Sequence, residues 1–414
     1  MLDALCGGTP PPRHASLRAI GPAQEPPLDR GLVLWFEGPA SFTGEDMAEL
    51  HVHGSRAVVH AVIDAVLALP GTRVAEPGEF ARRAFENGRL DLTEVEGLAD
   101  LINAETEAQR RQALAQAEGS LRALYEGWRA ELVRAQALIE AGLDFADEGD
   151  VIADVTAKAD PIVASLRTAI ARHLANRSGE RLRDGLKVVI AGAPNAGKSS
   201  LLNALAKRDV AIVSEEAGTT RDVIEVHLDL GGLPVMLIDT AGLREAEGKV
   251  EAEGIRRALA RAGDADLVLW VVDATAPQWN APPGLVPCKA GSAAEAITIL
   301  NKIDLAPQAS AGRDCLEVSA KTGEGIEHLV AVLAEKAAPA TEAGAAGPRL
   351  TRTRHRVELE AADAALERYG NPTLAPEFKA EELRIAAHHL GRLTGTIDVE
   401  EVLGAVFAEF CIGK

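Results

Sequence analysis

Gly192-Ala193-Pro194-Asn195-Ala196-Gly197-Lys198-Ser199 is a complete G-x-x-x-x-G-K-S phosphate loop, and its setting decides how the chain is read. The apolar run Val188-Val189-Ile190 predicts a buried strand entering the loop, and Ser199 to Arg208 predicts a helix leaving it. In that setting the glycines let backbone N–H groups close around phosphate oxygens. Lys198 reaches the terminal phosphates, and the Ser199 hydroxyl can ligate Mg²⁺. A Gly-rich turn in an unrelated α/β protein is the alternative, and the flanking strand and helix argue against it.

Three further segments turn a phosphate site into a guanine-nucleotide site. Asp239-Thr240-Ala241-Gly242 follows the apolar run Val235 to Ile238, which places Asp239 at a strand end. There it can hold the Mg²⁺ sphere while the Gly242 N–H faces the γ-phosphate. Asn301-Lys302-Ile303-Asp304 follows a second apolar run, Ile297 to Leu300. The Asp304 carboxylate can accept from both N1–H and the exocyclic amine of guanine, a pattern adenine lacks. Ser319-Ala320-Lys321 follows Cys315 to Val318 and closes the base pocket. Four motifs in order, each at the end of a predicted strand, define a GTPase domain.

Two positions say what kind. Leu243 follows Gly242, where Ras-like enzymes carry the glutamine that orients the attacking water. Leucine cannot hydrogen-bond water, so another group must act. Glu251, in the polar segment that follows, is a carboxylate able to swing in; taken alone, it reads more readily as a solvated surface glutamate. Asn195, inside the phosphate loop, offers a side-chain carbonyl near the β- and γ-phosphates that suits a monovalent cation. A K⁺ there would supply the charge that other systems take from an arginine finger, worth about 10³–10⁵ in rate.

The remainder is bounded by composition. The 414 residues allow two or three domains. Aromatics are only 3%, and the abundance of Ala, Leu, Glu and Arg favours helix outside the GTPase domain. Cys6, Cys288, Cys315 and Cys411 lack metal or disulfide spacing, which points to a reducing, cytoplasmic setting. No apolar run approaches membrane-spanning length. A net charge of −19 opposes strong nucleic-acid binding by this chain alone.

Pro-rich loops and short β-like runs, Gly31 to Phe36 and Glu49 to His53, occupy the first part of the chain. From Asp91 the pattern turns helical. Thr93-Glu94-Val95-Glu96 has capping-box spacing, and Leu121, Leu124, Tyr125, Trp128 and Leu132 fall on one helix face. Arg177 to Glu180 reads as a linker. Past Ala337 helix resumes, and Val399, Val402, Leu403, Val406, Phe407 and Phe410 form an amphipathic stripe needing an apolar partner. The expected organisation is multidomain, α+β and α/β. An N-terminal β-rich domain covers 1–89, and a helical domain covers 90–184 and 339–414. A Ras-like P-loop domain, 185–338, is inserted into the helical one.

Ser41-Phe42-Thr43-Gly44-Glu45-Asp46, Pro77-Gly78-Glu79-Phe80, Asn87 to Leu92, Ala217-Gly218-Thr219-Thr220-Arg221-Asp222 and the terminal Cys411-Ile412-Gly413-Lys414 add to the nucleotide motifs. Together they resemble the TrmE family of bacterial tRNA modification GTPases, from Gly31 to Lys414. The resemblance implies a homodimer whose N-terminal domain binds a tetrahydrofolate one-carbon donor. It implies joint action with the FAD-dependent partner MnmG, installing aminomethyl or carboxymethylaminomethyl groups on C5 of wobble uridine in certain tRNAs, mainly through the partner's tRNA contacts. By position, GTP is bound by Asn195 to Ser200, by Ser214, Glu215, Glu216, Ala217, Gly218, Thr219 and Thr220, and by the three motifs after them. K⁺ falls to Asn195, Ser214, Glu216 and Thr219, and Mg²⁺ to Ser199 and Thr220. Glu251 matches the family's water-positioning glutamate, with Lys198 acting on the phosphates.

Cys411 reads from residues alone as a small buried hydrophobe; the resemblance places it near the folate and ties it to tRNA modification. Glu49, Arg89 and Lys414 match folate-site positions, with Arg89 replacing a more usual lysine, which alters hydrogen-bond geometry. Family members begin with a strand and a Pro-Gly-Arg-Gly segment ahead of anything aligned here. A shortened N-terminal domain and weakened folate binding are therefore expected. The other readings are a ribosome-assembly GTPase switch, which would need a basic RNA-binding domain, and a membrane-acting GTPase, which would need a lipid-binding patch. The single basic cluster, Arg349, Arg352, Arg354, His355 and Arg356, reads as a solvated helix start.

Overall fold

A computed structural model describes residues 1–144, 151–207, 211–212, 225–239, 265–280, 288–289, 292–293, 295–306, 310, 312–338, 347–397, 406–407 and 410. The chain forms two compact units. One is Met1–Ala99 with Gln116–Ala130 and Ala387–Lys414; the other is Asp100–Ala115 with Glu131–Ala386.

The first unit begins with the short helix α1 (Leu2–Leu5) and an antiparallel sheet in the order β1 (Ser16–Ile20), β2 (Asp29–Phe36), β3 (Met47–His51). The two β-like runs of the sequence fall on β2 and β3. Strand periodicity turns Val33 inward while its neighbour Leu32 stays exposed. Val33 packs with Leu2, Leu5, Cys6, Ile20 and Val62, the last from α2 (Arg56–Leu67).

Helix α3 (Glu79–Glu86) starts in the Pro77-Gly78-Glu79-Phe80 motif, and the structure explains two of its residues. Gly78 has φ +70°, and a Cβ there would lie 2.8 Å from the carbonyl oxygen of Phe407. Glu79 accepts from Arg73, from the Glu76 N–H and from Arg83, which brings its carboxyl down to about 2. Asn87 donates to the Thr43 carbonyl at 2.8 Å, joining the Ser41–Asp46 loop to the Asn87–Leu92 turn.

The helical series follows as α4 (Leu92–Ile102), α5 (Glu107–Ala117), α6 (Ser120–Asp144), α7 (Val151–Ala175) and α8 (Ser178–Asp184). Leu121, Tyr125, Trp128 and Leu132 are buried, as their spacing requires, and Leu124 is half-buried. The capping box of α4 differs from the expected Thr93–Glu96 pair. Asp91 Oδ1 accepts the Glu94 N–H at 2.8 Å, and the Glu94 carboxylate accepts the Asp91 N–H at 2.7 Å. Thr93 and Glu96 are instead fully buried within the helix. The expected linker at Arg177–Glu180 is also helical: the Asn176 side chain accepts the Ser178 N–H at 2.9 Å, just ahead of α8.

The second unit holds a seven-stranded sheet. Its order is β12 (Leu316–Val318), β11 (Glu295–Asn301), β8 (Leu267–Asp273), β4 (Leu186–Gly192), β7 (Pro234–Asp239), β6 (Glu225–Asp229), β5 (Ala211–Ile212); a two-residue pair, β9 (Cys288–Lys289) and β10 (Ser292–Ala293), lies apart. The first five strands are parallel; at the edge β6 runs antiparallel to β7, and β5 antiparallel to β6. Both faces are covered, so β8 is apolar from Leu267 to Val272. Leu267, Leu269 and Val271 join one core with the helices α9 (Lys198–Ala206) and α10 (Ile326–Ala337); Val268, Trp270 and Val272 join the other. The chain leaves β4 toward β7 on one side and returns to β8 on the other. That makes the C-terminal ends of β4 and β8 the topological switch point where such sheets bind ligands.

Beyond the sheet come α11 (Thr353–Tyr369) and α12 (Pro376–Thr394). Helix α7, ahead of the sheet in sequence, packs on α11, after it. Arg167 pairs with Asp363 at 3.2 Å, and the Tyr369 hydroxyl donates to Asp160 at 2.9 Å. The basic cluster is not solvated as expected. Arg352, His355 and Arg356 are buried, with Arg352 on Asp100 at 2.8 Å and Arg356 on Glu180 at 2.8 Å. Their acidic partners lie far off in sequence, which is why the cluster looked like a surface. Of the C-terminal stripe, Val406, Phe407 and Phe410 are buried, and Val399, Val402 and Leu403 lie outside the described residues.

Candidate functional site: a guanine-nucleotide pocket

Three strand ends and their loops build the candidate site. Strand β4 ends in the phosphate loop, and α9 begins at Lys198, so the first-turn N–H groups open toward whatever the loop encloses. Gly197 has φ +91°, and a Cβ there would meet Asn301 Nδ2 at 2.3 Å. A side chain there would be strained by the left-handed backbone and would push aside the amide that Asn301 donates to the Ala196 carbonyl. Lys198 Nζ donates to the carbonyls of Gly192 and Ala193 at 3.0 and 2.9 Å, which folds it back over its own loop. Ser199 and Ser200 are exposed on the first turn of α9.

The Asn301-Lys302-Ile303-Asp304 motif secures this loop from the neighbouring strand end. Asn301 is buried; its Nδ2 donates to the Ala196 carbonyl at 3.0 Å and its Oδ1 accepts the Ala320 N–H at 3.1 Å. The Ser319 hydroxyl donates to Asp304 Oδ1 at 2.7 Å, and its oxygen accepts the Thr322 N–H at 3.2 Å. A carboxylate steadied on one oxygen can present the other to a nucleobase edge. Lys321 is exposed beside it. Thus Asn195, Ala196, Gly197, Lys198, Asn301, Lys302, Asp304, Ser319 and Ala320, drawn from three separate segments, converge on one end of the sheet.

Asp239 is the last residue of β7, paired in register with Ile190 of β4. Ser214, Glu215, Glu216, Ala217, Gly218, Thr219, Thr220, Thr240, Ala241, Gly242, Glu251, Cys411 and Lys414 lie outside the described residues. Among the folate-site positions, Glu49 on β3 pairs with His51 at 3.0 Å. Arg89 is exposed at the Asn87–Leu92 turn, with its Cγ 3.2 Å from where a Cβ on Gly44 would stand.

One residue that the structure ties to this candidate site was missed. Asp273, at the C-terminal end of β8, accepts Lys302 Nζ at 2.6 Å on Oδ2. Its Oδ1 takes the N–H and hydroxyl of Thr275 at 2.8 and 2.7 Å. The available signal was an aspartate ending the apolar run Leu267 to Val272, the position at which the other nucleotide motifs also occur.

A doubly wound sheet with a phosphate loop at its switch point and a guanine-type base motif bolted to it defines a P-loop GTPase. The family model described as "MnmE helical domain" matches residues 92–411, and that described as "GTP-binding protein TrmE N-terminus" matches residues 1–89. The tRNA modification GTPase MnmE of Parvibaculum lavamentivorans is 54% identical over 411 residues, covering 97% of this chain and 91% of that one. The protein of the same name from Paramagnetospirillum magneticum is 53% identical, covering 100% and 93%. Among solved structures, the G domain of the T. maritima FeoB iron transporter is 29% identical over 36% of this chain and 97% of that one, with a TM-score of 0.27. The chain belongs to the MnmE family of tRNA modification GTPases.

Proposed function

We propose that the protein is a K⁺-dependent GTPase that acts with a flavoprotein partner of the MnmG type. Together they add aminomethyl or carboxymethylaminomethyl groups to C5 of the wobble uridine of certain tRNAs, using a tetrahydrofolate one-carbon donor. The observation that carries the nucleotide chemistry is the state of Asn195. It stands exposed in the phosphate loop with φ +63°, and its backbone carbonyl already accepts Lys302 Nζ at 2.7 Å. What it has to offer a cation beside the phosphates is therefore its side-chain oxygen. A K⁺ held there with Ser214, Glu216 and Thr219 would supply positive charge where phosphate charge develops. Mg²⁺, held by Ser199 and Thr220, would neutralise the β- and γ-phosphate oxygens. Glu251 would orient the attacking water in place of the glutamine that Leu243 replaces.

The folate reading is supported by an exposed acid on β3, Glu49, able to accept from a pterin ring, and an exposed cation, Arg89, suited to an anionic tail. Lys414 and Cys411 would complete that site. A homodimer through the N-terminal domain is supported by Leu17 and Leu32, cross-strand partners that are 71% and 42% exposed. An acidic chain of net charge −19 fits a division of labour in which the partner contributes most of the tRNA contact.

Phosphate release in matched KCl and NaCl tests the role of the cation. The parent should be faster in K⁺, and Asn195→Ala should lose the preference. Equal rates for the parent in the two salts would refute it.

A further inference from the structure

Among the described residues, Asn195 and Lys302 are two of the three non-glycine residues with positive φ, at +63° and +68°. Side chains with a Cβ avoid that region, and where they occupy it the surroundings must hold them there. These two hold each other. Lys302 Nζ donates to the Asn195 carbonyl at 2.7 Å, and the same nitrogen donates to Asp273 Oδ2 at 2.6 Å. Asp273 is well placed to do this. It stands in register beside Asn301 across the β8–β11 pair, one residue from Lys302. The N–H and hydroxyl of Thr275 fix its other oxygen, so the carboxylate cannot rotate away. Burial pushes the Asp273 carboxyl up, but the bonds from Lys302 and Thr275 outweigh it and leave it below its ordinary value. The group is an anion whenever the site works.

We infer that Asp273 is a positioning residue for guanine-nucleotide binding, acting through Lys302 to hold Asn195 and the phosphate loop in their bound geometry. Without the carboxylate, the lysine has one anchor fewer and an uncompensated charge, and it drifts toward solvent. The Asn195 carbonyl is then released, and the loop must be ordered at the expense of nucleotide affinity. This rests on the pocket being a guanine-nucleotide site, a reading with its own independent test in the parent protein.

The experiment is fluorescent GDP binding by the full chain, with Asp273→Asn, Lys302→Met, the double variant and Thr275→Val. Asp273→Asn should bind about 10- to 100-fold more weakly, the range for one charge-assisted hydrogen bond. Thr275→Val should bind a few-fold more weakly, about 2- to 10-fold. Because Asp273 works through Lys302, the double variant should bind no more weakly than Lys302→Met alone, within about two-fold. Multiplying effects in the double variant would overturn the inference, as would affinity unchanged by Asp273→Asn. Should Asp273→Asn fail to fold, Thr275→Val measured with and without Lys302→Met tests the same coupling: its effect should vanish in the Lys302→Met background, and persistence there would overturn the inference. Failure of the parent to bind GDP would instead overturn the nucleotide reading itself.

Discussion

Asn195 shows how much a single residue can carry and how unevenly sequence discloses it. Its place in the phosphate loop was legible, because G-x-x-x-x-G-K-S is read by spacing alone. Its left-handed backbone, and the Lys302 bond that holds it, belong to a contact between segments 107 positions apart. Asp273 was hidden for the same reason: an aspartate after an apolar run resembles any strand-ending turn until the β8–β11 register is known. Glu251 makes the opposite case, since only position by family match distinguishes it from a surface carboxylate. If it orients water, Glu251→Ala should slow turnover about 100- to 10,000-fold with GTP affinity little changed. Single-turnover phosphate release checks this, and a rate within a few-fold of the parent would return Glu251 to the surface.

At the level of elements, the start of α4 was legible as a capping signal but in the wrong frame. Asp91-Leu92-Thr93-Glu94 and Thr93-Glu94-Val95-Glu96 both match the pattern, and only burial decides between them. Thr93 and Glu96 face the core, so Asp91 caps. The cap sits where a charge is poorly solvated: burial pushes the Asp91 carboxyl up to about 6, and its Oδ2 is buried with no hydrogen-bond partner among the described residues. The folded protein thus holds this proton more tightly than the unfolded chain does, whose value is near 3.8. Asp91 favours folding most below that lower value; its contribution falls as pH rises toward 6 and is level above it. Asp91→Asn keeps a good capping oxygen and removes the titration. The stability of the parent relative to this variant should fall by about 2–3 kcal/mol between roughly pH 4 and pH 7. Urea unfolding at the two pH values reads it, and a constant difference would contradict the burial argument.

At the scale of the molecule, the insertion was legible from composition, but the means of securing it was not. The chain enters the seven-stranded sheet through α8 and leaves it ahead of α11. Asp100 accepts from Arg183 at 2.9 Å on the way in and from Arg352 at 2.8 Å on the way out. Glu180 and Arg356 make a second tie across the same two segments. Glu105, between α4 and α5, also meets His227 of β6 at 2.8 Å, which links the helices to the sheet directly. Each partner is a common surface residue type, so nothing in their sequence separates a buried clamp from a solvated face. Asp100→Asn removes the carboxylate that Arg183 and Arg352 share; Arg183 keeps Asp184 at 3.0 Å, and the cost falls mainly on the more buried Arg352. The substitution should lower stability by about 2–4 kcal/mol, and a change under about 0.5 kcal/mol in denaturant unfolding would make the clamp a surface decoration.

Residue, element and molecule all bear on whether nucleotide chemistry on this sheet serves modification of tRNA. Mass spectrometry of wobble-uridine nucleosides answers that directly, in tRNA from a strain lacking this chain, with the parent or Lys198→Ala restored. C5-aminomethyl-type nucleosides should disappear in the deletion, return with the parent and fail to return with Lys198→Ala. Undiminished modified uridines in the deletion strain would contradict a role for this GTPase in their synthesis.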